Sequence, residues 1–262
     1  MAAVGERQIS YDARGLAEPN ADVPKISEVD GAKAVFDARD LTTRQINLEL
    51  RWLLYEQGVT DVTVQNPGSK HSIGVGILTR CKITYQGSLG YFGCGLIDGP
   101  EVHITGRVGW SACENMMSGV VVIEGNAGSL TGAALRGGDV VVKGRVGARS
   151  GIDQKGGTII TLGSAGSMNG FMMQRGRQVI CGDVGPGLGD SMYDGIMYVG
   201  GKVKSLGIDC VEGEWTDADT EFIERKFRIY DLGSPPEFQK FVCGKKLYNY
   251  DNLEPSERKL VL

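Results

Sequence analysis

Several things are scarce in this 262-residue chain. There are two histidines, His71 and His103, and neither has an obvious serine, cysteine or carboxylate partner in sequence. The six cysteines (Cys81, Cys94, Cys113, Cys181, Cys210 and Cys243) include no CxxC pair, which disfavours a zinc ribbon or a thioredoxin-type motif. Proline, at 8 residues, is too rare for a collagen. No apolar run approaches ~18 residues, so no transmembrane helix is expected. The opening MAAVGERQIS lacks the basic and then apolar pattern of a secretory signal. Cytoplasmic, reduced and soluble is the expectation. A net charge of −4 with a pI of about 5.4 argues against a broad nucleic-acid footprint.

Glycine is in excess, with 40 residues against the usual ~7% of a chain. Thirty-three of them lie between Gly68 and Gly207, so one architectural feature must account for them. Gly68, Gly87, Gly106, Gly125, Gly144, Gly163, Gly182 and Gly201 stand 19 residues apart, without an insertion. A second column runs Gly90, Gly109, Gly128, Gly147, Gly166 and Gly185, and a third runs Gly119, Gly138, Gly157, Gly176 and Gly195. Apolar residues share the period. Leu89, Val108, Ala127, Val146, Ala165, Val184 and Val203 form one column. Three others, begun by Ile97, Val102 and Ile104, are interrupted at Gln154, Gln178 and Thr161 respectively.

Each unit carries a short β-branched run, such as Val121–Ile123 or Val140–Val142, which reads as a strand. Nineteen residues are too few for a helical-hairpin repeat of ~33, and the leucine ladder of a leucine-rich repeat is absent. The expected fold is all-β: a right-handed parallel β-helix of about seven to eight coils, roughly 40 Å long at one coil per ~4.8 Å. Glycine is expected at corners that need φ > 0 and where small residues permit close approach. In the strand runs, alternate residues should face outward. That outward column reads His103, Val122, Val141, Ile160, Val179 and Tyr198. Four of the six are aliphatic, so this face should be covered, by the chain's own ends or by a partner subunit.

Residues 1–35 read as an irregular arm. Residues 36–60 hold a capping helix over 40–57, capped by Asp40 or Thr42, with Leu41, Ile46, Leu50, Leu53 and Leu54 on its apolar side and Gly58 at its end. A solenoid end exposes open core, so a plug is expected there. The β-helix follows over 61–213. The tail, 214–262, is expected to be irregular but docked. It holds eight of the 19 aromatic residues, and Pro235-Pro236 opposes a helix through its middle.

Chemistry is sparse. Gly185-Pro186-Gly187-Leu188-Gly189 superficially resembles a nucleotide-binding loop, but these glycines belong to the 19-residue register. Cys94 and Cys113 fall on adjacent coils, close enough for a disulfide or shared metal ligation, yet the next coils place Gly132, Gly151, Gly170 and Gly189 there. A column of small residues explains both. Asp190 with Asp194, or Glu212 with Glu214, have no spacing that favours acid–base work over a solvated surface. No catalytic, cofactor-binding or metal-ligating residue is assigned to the chain. An outward column of valines, with few aromatics on the coils, also disfavours a stand-alone enzyme acting on polysaccharide.

The coil pattern, with GPGLG at 185–189, resembles the β-helix domain at the C-terminal end of the glutamate synthase large subunit. The β-helix subunit of formylmethanofuran dehydrogenase has the same domain type. The segments ENMMSGVVVIEGNAG (114–128), GDSMYDG (189–195), VKSLGIDCVE (203–212) and DLTTRQIN (40–47) are similar to free-standing forms of the domain, the β-helix subunits of N-methylglutamate synthase and related three-protein sets. The resemblance covers roughly residues 35–213. It implies a non-catalytic subunit that holds two partners: a glutamine-amidotransferase-like protein with an N-terminal cysteine nucleophile, and an FMN-binding protein with an iron–sulfur cluster. No cofactor is then expected in this chain, whose first residues, Met1-Ala2-Ala3, offer no such cysteine. The alternative is the β-helix subunit of a formylmethanofuran dehydrogenase or formyltransferase/hydrolase complex.

Overall fold

The computed structural model of the protein describes residues 22–244. Its strands are β1 (Glu28–Asp30), β2 (Lys33–Asp37), β3 (Asp61–Gln65), β4 (Lys82–Gln86), β5 (Asp98–Ile104), β6 (Ser118–Ile123), β7 (Asp139–Val142), β8 (Lys155–Thr161), β9 (Arg175–Ile180), β10 (Ile196–Val199), β11 (Cys210–Glu212) and β12 (Gln239–Cys243). Two α-helices join them: α1 (Thr43–Arg51), continued by one π-helical turn at Trp52–Glu56, and α2 (Asp217–Ile229). From β2 to β10 every strand pairs in parallel with the next in sequence, one coil above the other. The molecule is therefore a parallel β-helix, and its turns stack the residues that the sequence periodicity aligns. The column Ile83, Val102, Val121, Val140, Ile159, Gln178 and Met197 is in direct Cα register. So is the second column of short bridges that runs from Leu89 to Val203.

The period of 19 begins one strand later than the glycines suggest. Val62 pairs with Ile83, 21 residues on. The extra residues fall between β3 and Ser69, whose N–H already donates to Ser88 O in the regular register at 2.9 Å. Asn66, in the left-handed region at φ 51°, and Pro67 occupy this widened turn.

The glycine columns serve two different needs. The strictest ones are steric. A Cβ on Gly125 would stand 2.9 Å from Gly106 O, on Gly163 2.8 Å from Gly144 O, and on Gly185 2.7 Å from Gly166 C. None of these three has a positive φ. Of the three glycine columns, only Gly119, Gly138, Gly157, Gly176 and Gly195 hold positive φ throughout. The sequence reading of glycine as a corner residue thus holds for that column, while close approach explains the others.

The core is one continuous cluster inside the coils. The three interruptions of the apolar columns are accommodated there. Gln178 Nε2 donates to Gln154 Oε1 at 3.2 Å and to Ser150 O at 3.3 Å, and Gln154 Nε2 donates to Gly156 O at 2.9 Å. The two amides satisfy each other and the backbone, which is what a buried amide requires.

Helix α1 lies within the first coil, between β2 and β3. Thr42 is its N-cap, with Gln45 closing a capping box. Ile46, Leu50, Leu53 and Leu54 join the core beside Phe36, Val62 and Ile73. Ahead of it, the buried Glu49 carboxylate accepts the N–H groups of Lys25, Ile26 and Ser27 at 2.7 to 3.1 Å, pinning the entering chain. That entering stretch includes β1, hairpinned on β2, so part of the segment read as an irregular arm is strand.

The tail departs further from its reading. Instead of irregular chain it holds α2 and β12. Thr216 and Asp219 form a capping box, Asp217 and Asp219 are acidic in the first turn, and Lys226 and Arg228 are basic in the last. The helix ends before Pro235-Pro236, so the prolines never oppose it. Strand β12 then pairs antiparallel with β10 and carries β11 on its outer side. Tyr248 and Tyr250 lie outside the described residues.

A methyl group on a steric glycine should therefore cost more than one on a glycine in open space. Gly125→Ala is expected to lose about 1–3 kcal/mol, an overpacking cost. Gly31→Ala, with nothing within 4 Å but φ at +57°, should lose about 1 kcal/mol. Urea denaturation of the two variants against the parent checks the order.

Candidate interaction surface

The outward column of the strands is covered by α2. Val141, Ile160, Val179 and Tyr198 are fully buried beneath Phe222, Ile223 and Phe227 of the helix, with Val122 half-buried at the margin. Burying three such helix side chains contributes on the order of 6 kcal/mol before ordering costs. The cover thus comes from the chain's own tail, one of the two possibilities left open by the sequence.

Two polar clamps fix the helix. At its N-terminal end Tyr198 Oη donates to Asp219 Oδ1 at 2.7 Å, and Lys240 Nζ on β12 donates to Asp219 Oδ2 at 2.8 Å. Burial works to raise the Asp219 carboxyl, but Lys240, Thr216 and Tyr198 outweigh it and hold the pKa at about 2. Burial and the same carboxylate push the Tyr198 hydroxyl up. At the C-terminal end Lys226 Nζ and Tyr230 Oη both donate to Asp139 on β7. Trp215 sits edge-on to Tyr198 at 5.6 Å and donates to Thr220 Oγ1. The sequence reading missed these clamps. The threonine–aspartate capping pair was their visible signal.

The cover stops near Tyr230. Past it the column continues as His103, Thr84, Thr63 and Val35, all at least partly exposed, and a groove of about 410 Å³ opens between Ile229 and the strands. Another face of the rod carries a stack of exposed rings. His71 lies on Tyr91 at 4.4 Å, and Tyr91 on Trp110 at 5.4 Å. Tyr91 is 50% exposed and Trp110 56%.

The residues weighed as chemical candidates are each accounted for locally. Cys94 and Cys113 are fully buried, and burial pushes the Cys94 thiol up to about 12 and that of Cys113 upward as well. Buried thiols held protonated are poor ligands and poor nucleophiles. Both sit at positive φ, in the column that later coils fill with left-handed glycine. His71 Nδ1 accepts the Tyr91 N–H at 2.9 Å, while His103 Nε2 meets Glu124 at 2.8 Å, a carboxylate that Lys143 also reaches. Asp190 accepts from Ser191 Oγ and Asp194 from Gly195 N–H, as turn carboxylates do. Glu212 lies on β11, and the Glu214 carbonyl, not its carboxylate, accepts from Lys240. In the loop 185–189 the N–H groups of Gly185, Gly187 and Gly189 all donate to carbonyls of neighbouring coils, so none converges on a phosphate. Among the described residues no group of three or more His, Cys, Asp or Glu side chains is arranged to hold a metal ion. No described helix is long and apolar enough to cross a membrane.

No protein-family model matches the chain. Over 66 residues it is 39% identical to Protein GlxC of Rhizobium meliloti (strain 1021), a stretch that is 24% of this chain and 29% of that protein. A solved structure with a similar fold belongs to the formyltransferase/hydrolase complex (FhcABCD) from Methylorubrum extorquens, determined with methylofuran. The TM-score is 0.57 and the identity 21%, over 65% of this chain and 67% of that one.

Two outcomes test the account of α2. A carboxyl with a folded pKa of about 2 and an ordinary value of 3.8 contributes stability above the ordinary value and loses it as pH falls toward the folded one. Tryptophan fluorescence is therefore expected to report loosening around Trp215 between about pH 4 and 2, and Asp219→Asn should flatten that acid limb. Phe227→Asp places a carboxylate against the apolar column. It should free α2, raising dye binding and proteolysis near Gly213 while the far-ultraviolet β signal persists.

Proposed function

We propose that the protein is a non-catalytic β-helix subunit of a multi-subunit enzyme complex of the glutamate-synthase-like kind. In this reading the FMN and iron–sulfur chemistry and the glutaminase-like step belong to partner subunits. The rod fixes the distance between them. One observation carries the proposal. A long backbone ladder closes its own apolar column with α2, yet leaves stacked, half-exposed rings at His71, Tyr91 and Trp110 on another face. Exposed tyrosine and tryptophan held rigid in this way are typical of interface centres. The stretch shared with Protein GlxC and the segments at 114–128, 189–195 and 203–212 support the glutamate-synthase-like assignment.

A second reading rests on the fold likeness to a chain of a formyltransferase/hydrolase complex. It makes this protein the β-helix subunit of such an assembly. The two readings agree on the role of the rod and differ in its company.

Purification of the tagged protein from its native host separates them. A co-purifying flavoprotein is the expected result. A formyltransferase or a metallohydrolase in the complex would favour the second reading, and a stable, unaccompanied monomer would overturn both. Within the complex, Tyr91→Ala with Trp110→Ala should weaken partner retention by about tenfold or more.

A further inference from the structure

Beside the helix that covers the outer column lies a cleft of about 580 Å³, formed by β8, β9, the start of β10 and α2. Its walls carry Lys155, Arg175, Arg177, Arg225 and Lys226, with Asp194 as the lone carboxylate among the lining residues. This concentration of positive charge occurs in a chain whose net charge is −4. Composition therefore does not explain it.

Part of the charge is locked in place. Arg177 stacks its guanidinium on the Phe222 ring at 4.2 Å, and Lys226 is paired with Asp139 at 2.5 Å. These contacts hold the cations in position without covering the cleft. Among the described residues, Lys155 and Arg225 make no ion pair. Like charges gathered along a cleft repel one another, and an anionic occupant relieves that repulsion.

The backbone decides what kind of anion fits. A site for a small phosphate ordinarily converges free N–H groups on one point. Here the N–H groups of Lys155 and Gly156 donate to Leu135 O, that of Thr158 to Gly138 O and that of Arg175 to Gln154 O. The cations are instead spread over two strands and a helix, along an open trough. That arrangement suits several carboxylates spaced along an extended chain, with the arginine fork taking one of them in a bidentate pair.

We propose that this cleft is the docking site for an acidic segment of a partner protein, one bearing several aspartates or glutamates. The proposal rests on the reading of the chain as part of a complex and names the chemistry of one contact within it. It assigns to β8, β9 and α2 a role apart from the ring stack at Tyr91 and Trp110. Because α2 supplies Arg225 and Lys226, the helix both seals the apolar column and completes the cationic trough.

The test uses the purified full chain and a labelled peptide of about a dozen alternating aspartate and serine residues, followed by fluorescence anisotropy. The expected result is binding that weakens about tenfold between about 50 and 300 mM salt. It should also weaken about tenfold in Lys155→Glu/Arg225→Glu, whose circular dichroism should match the parent. The charge reversals Arg107→Glu/Arg145→Glu, on the turns that follow β5 and β7, should leave affinity within about twofold. Equal binding of an asparagine–serine peptide, no binding at all, or an unaffected Lys155→Glu/Arg225→Glu chain would overturn the proposal. So would tighter binding of inorganic phosphate or of a short single-stranded oligonucleotide. Peptide binding together with an unaccompanied chain on native purification sinks the complex reading and leaves the cleft assignment standing.

Discussion

Everything in this molecule depends on how closely one coil lies on the next. The backbone carbonyl of Gly106 sits where a Cβ on Gly125 would need 2.9 Å, and the same crowding recurs at Gly144 and Gly163 and at Gly166 and Gly185. Parallel strands fix the spacing between coils, and the corners must match that spacing or the ladder breaks. A side chain at these corners would push two coils apart, and the displacement would pass to every coil above. Constant coil length follows from the same requirement. An insertion is tolerated only where the stack has not yet become regular, as at Asn66 and Pro67 beside the helical end.

A tightly stacked sheet wound into a rod has an outer face as well as an inner one, and β-branched residues favour both. The consequence is the aliphatic outward column, which the chain closes by laying α2 along it. The closure combines apolar burial with two carboxylates, Asp219 and Asp139, each reaching across the helix–sheet boundary to a tyrosine and a lysine. Burial supplies the driving force. The clamps set where along the rod the helix rests, because a shift by one coil would leave a charged carboxylate facing valine.

The rod was legible in the sequence because its constraint is written at one spacing in glycine and in valine alike. The outward column was legible too, through the alternation within each β-branched run. Helix α2 was not. Its buried residues, Phe222, Ile223 and Phe227, form too short a stripe to stand out among many charges, and Pro235-Pro236 nearby drew the reading toward irregular chain. The longer first coil was hidden because the glycine register holds from Gly68 onward and the extra residues precede it. The cationic trough was illegible for a different reason. Lys155, Arg175 and Arg225 are up to 70 positions apart, and only the packing of α2 on β8 and β9 gathers them.

The same gathering explains why a chain with so little local chemistry can still be specific. A β-helix repeats its surface at every coil, so a partner could slide by one period and meet similar contacts. The features that break the repeat are therefore the ones able to fix a register. The ring stack exists only at His71, Tyr91 and Trp110, after which its column continues through Ser129 and Ala148. The trough exists only where α2 crosses the coils of β8 and β9. Two unlike marks at different heights and on different sides of the rod define one position and one orientation for whatever binds both. The glycine stack makes the distance between them rigid, and that rigidity is what a spacer between two enzymes needs.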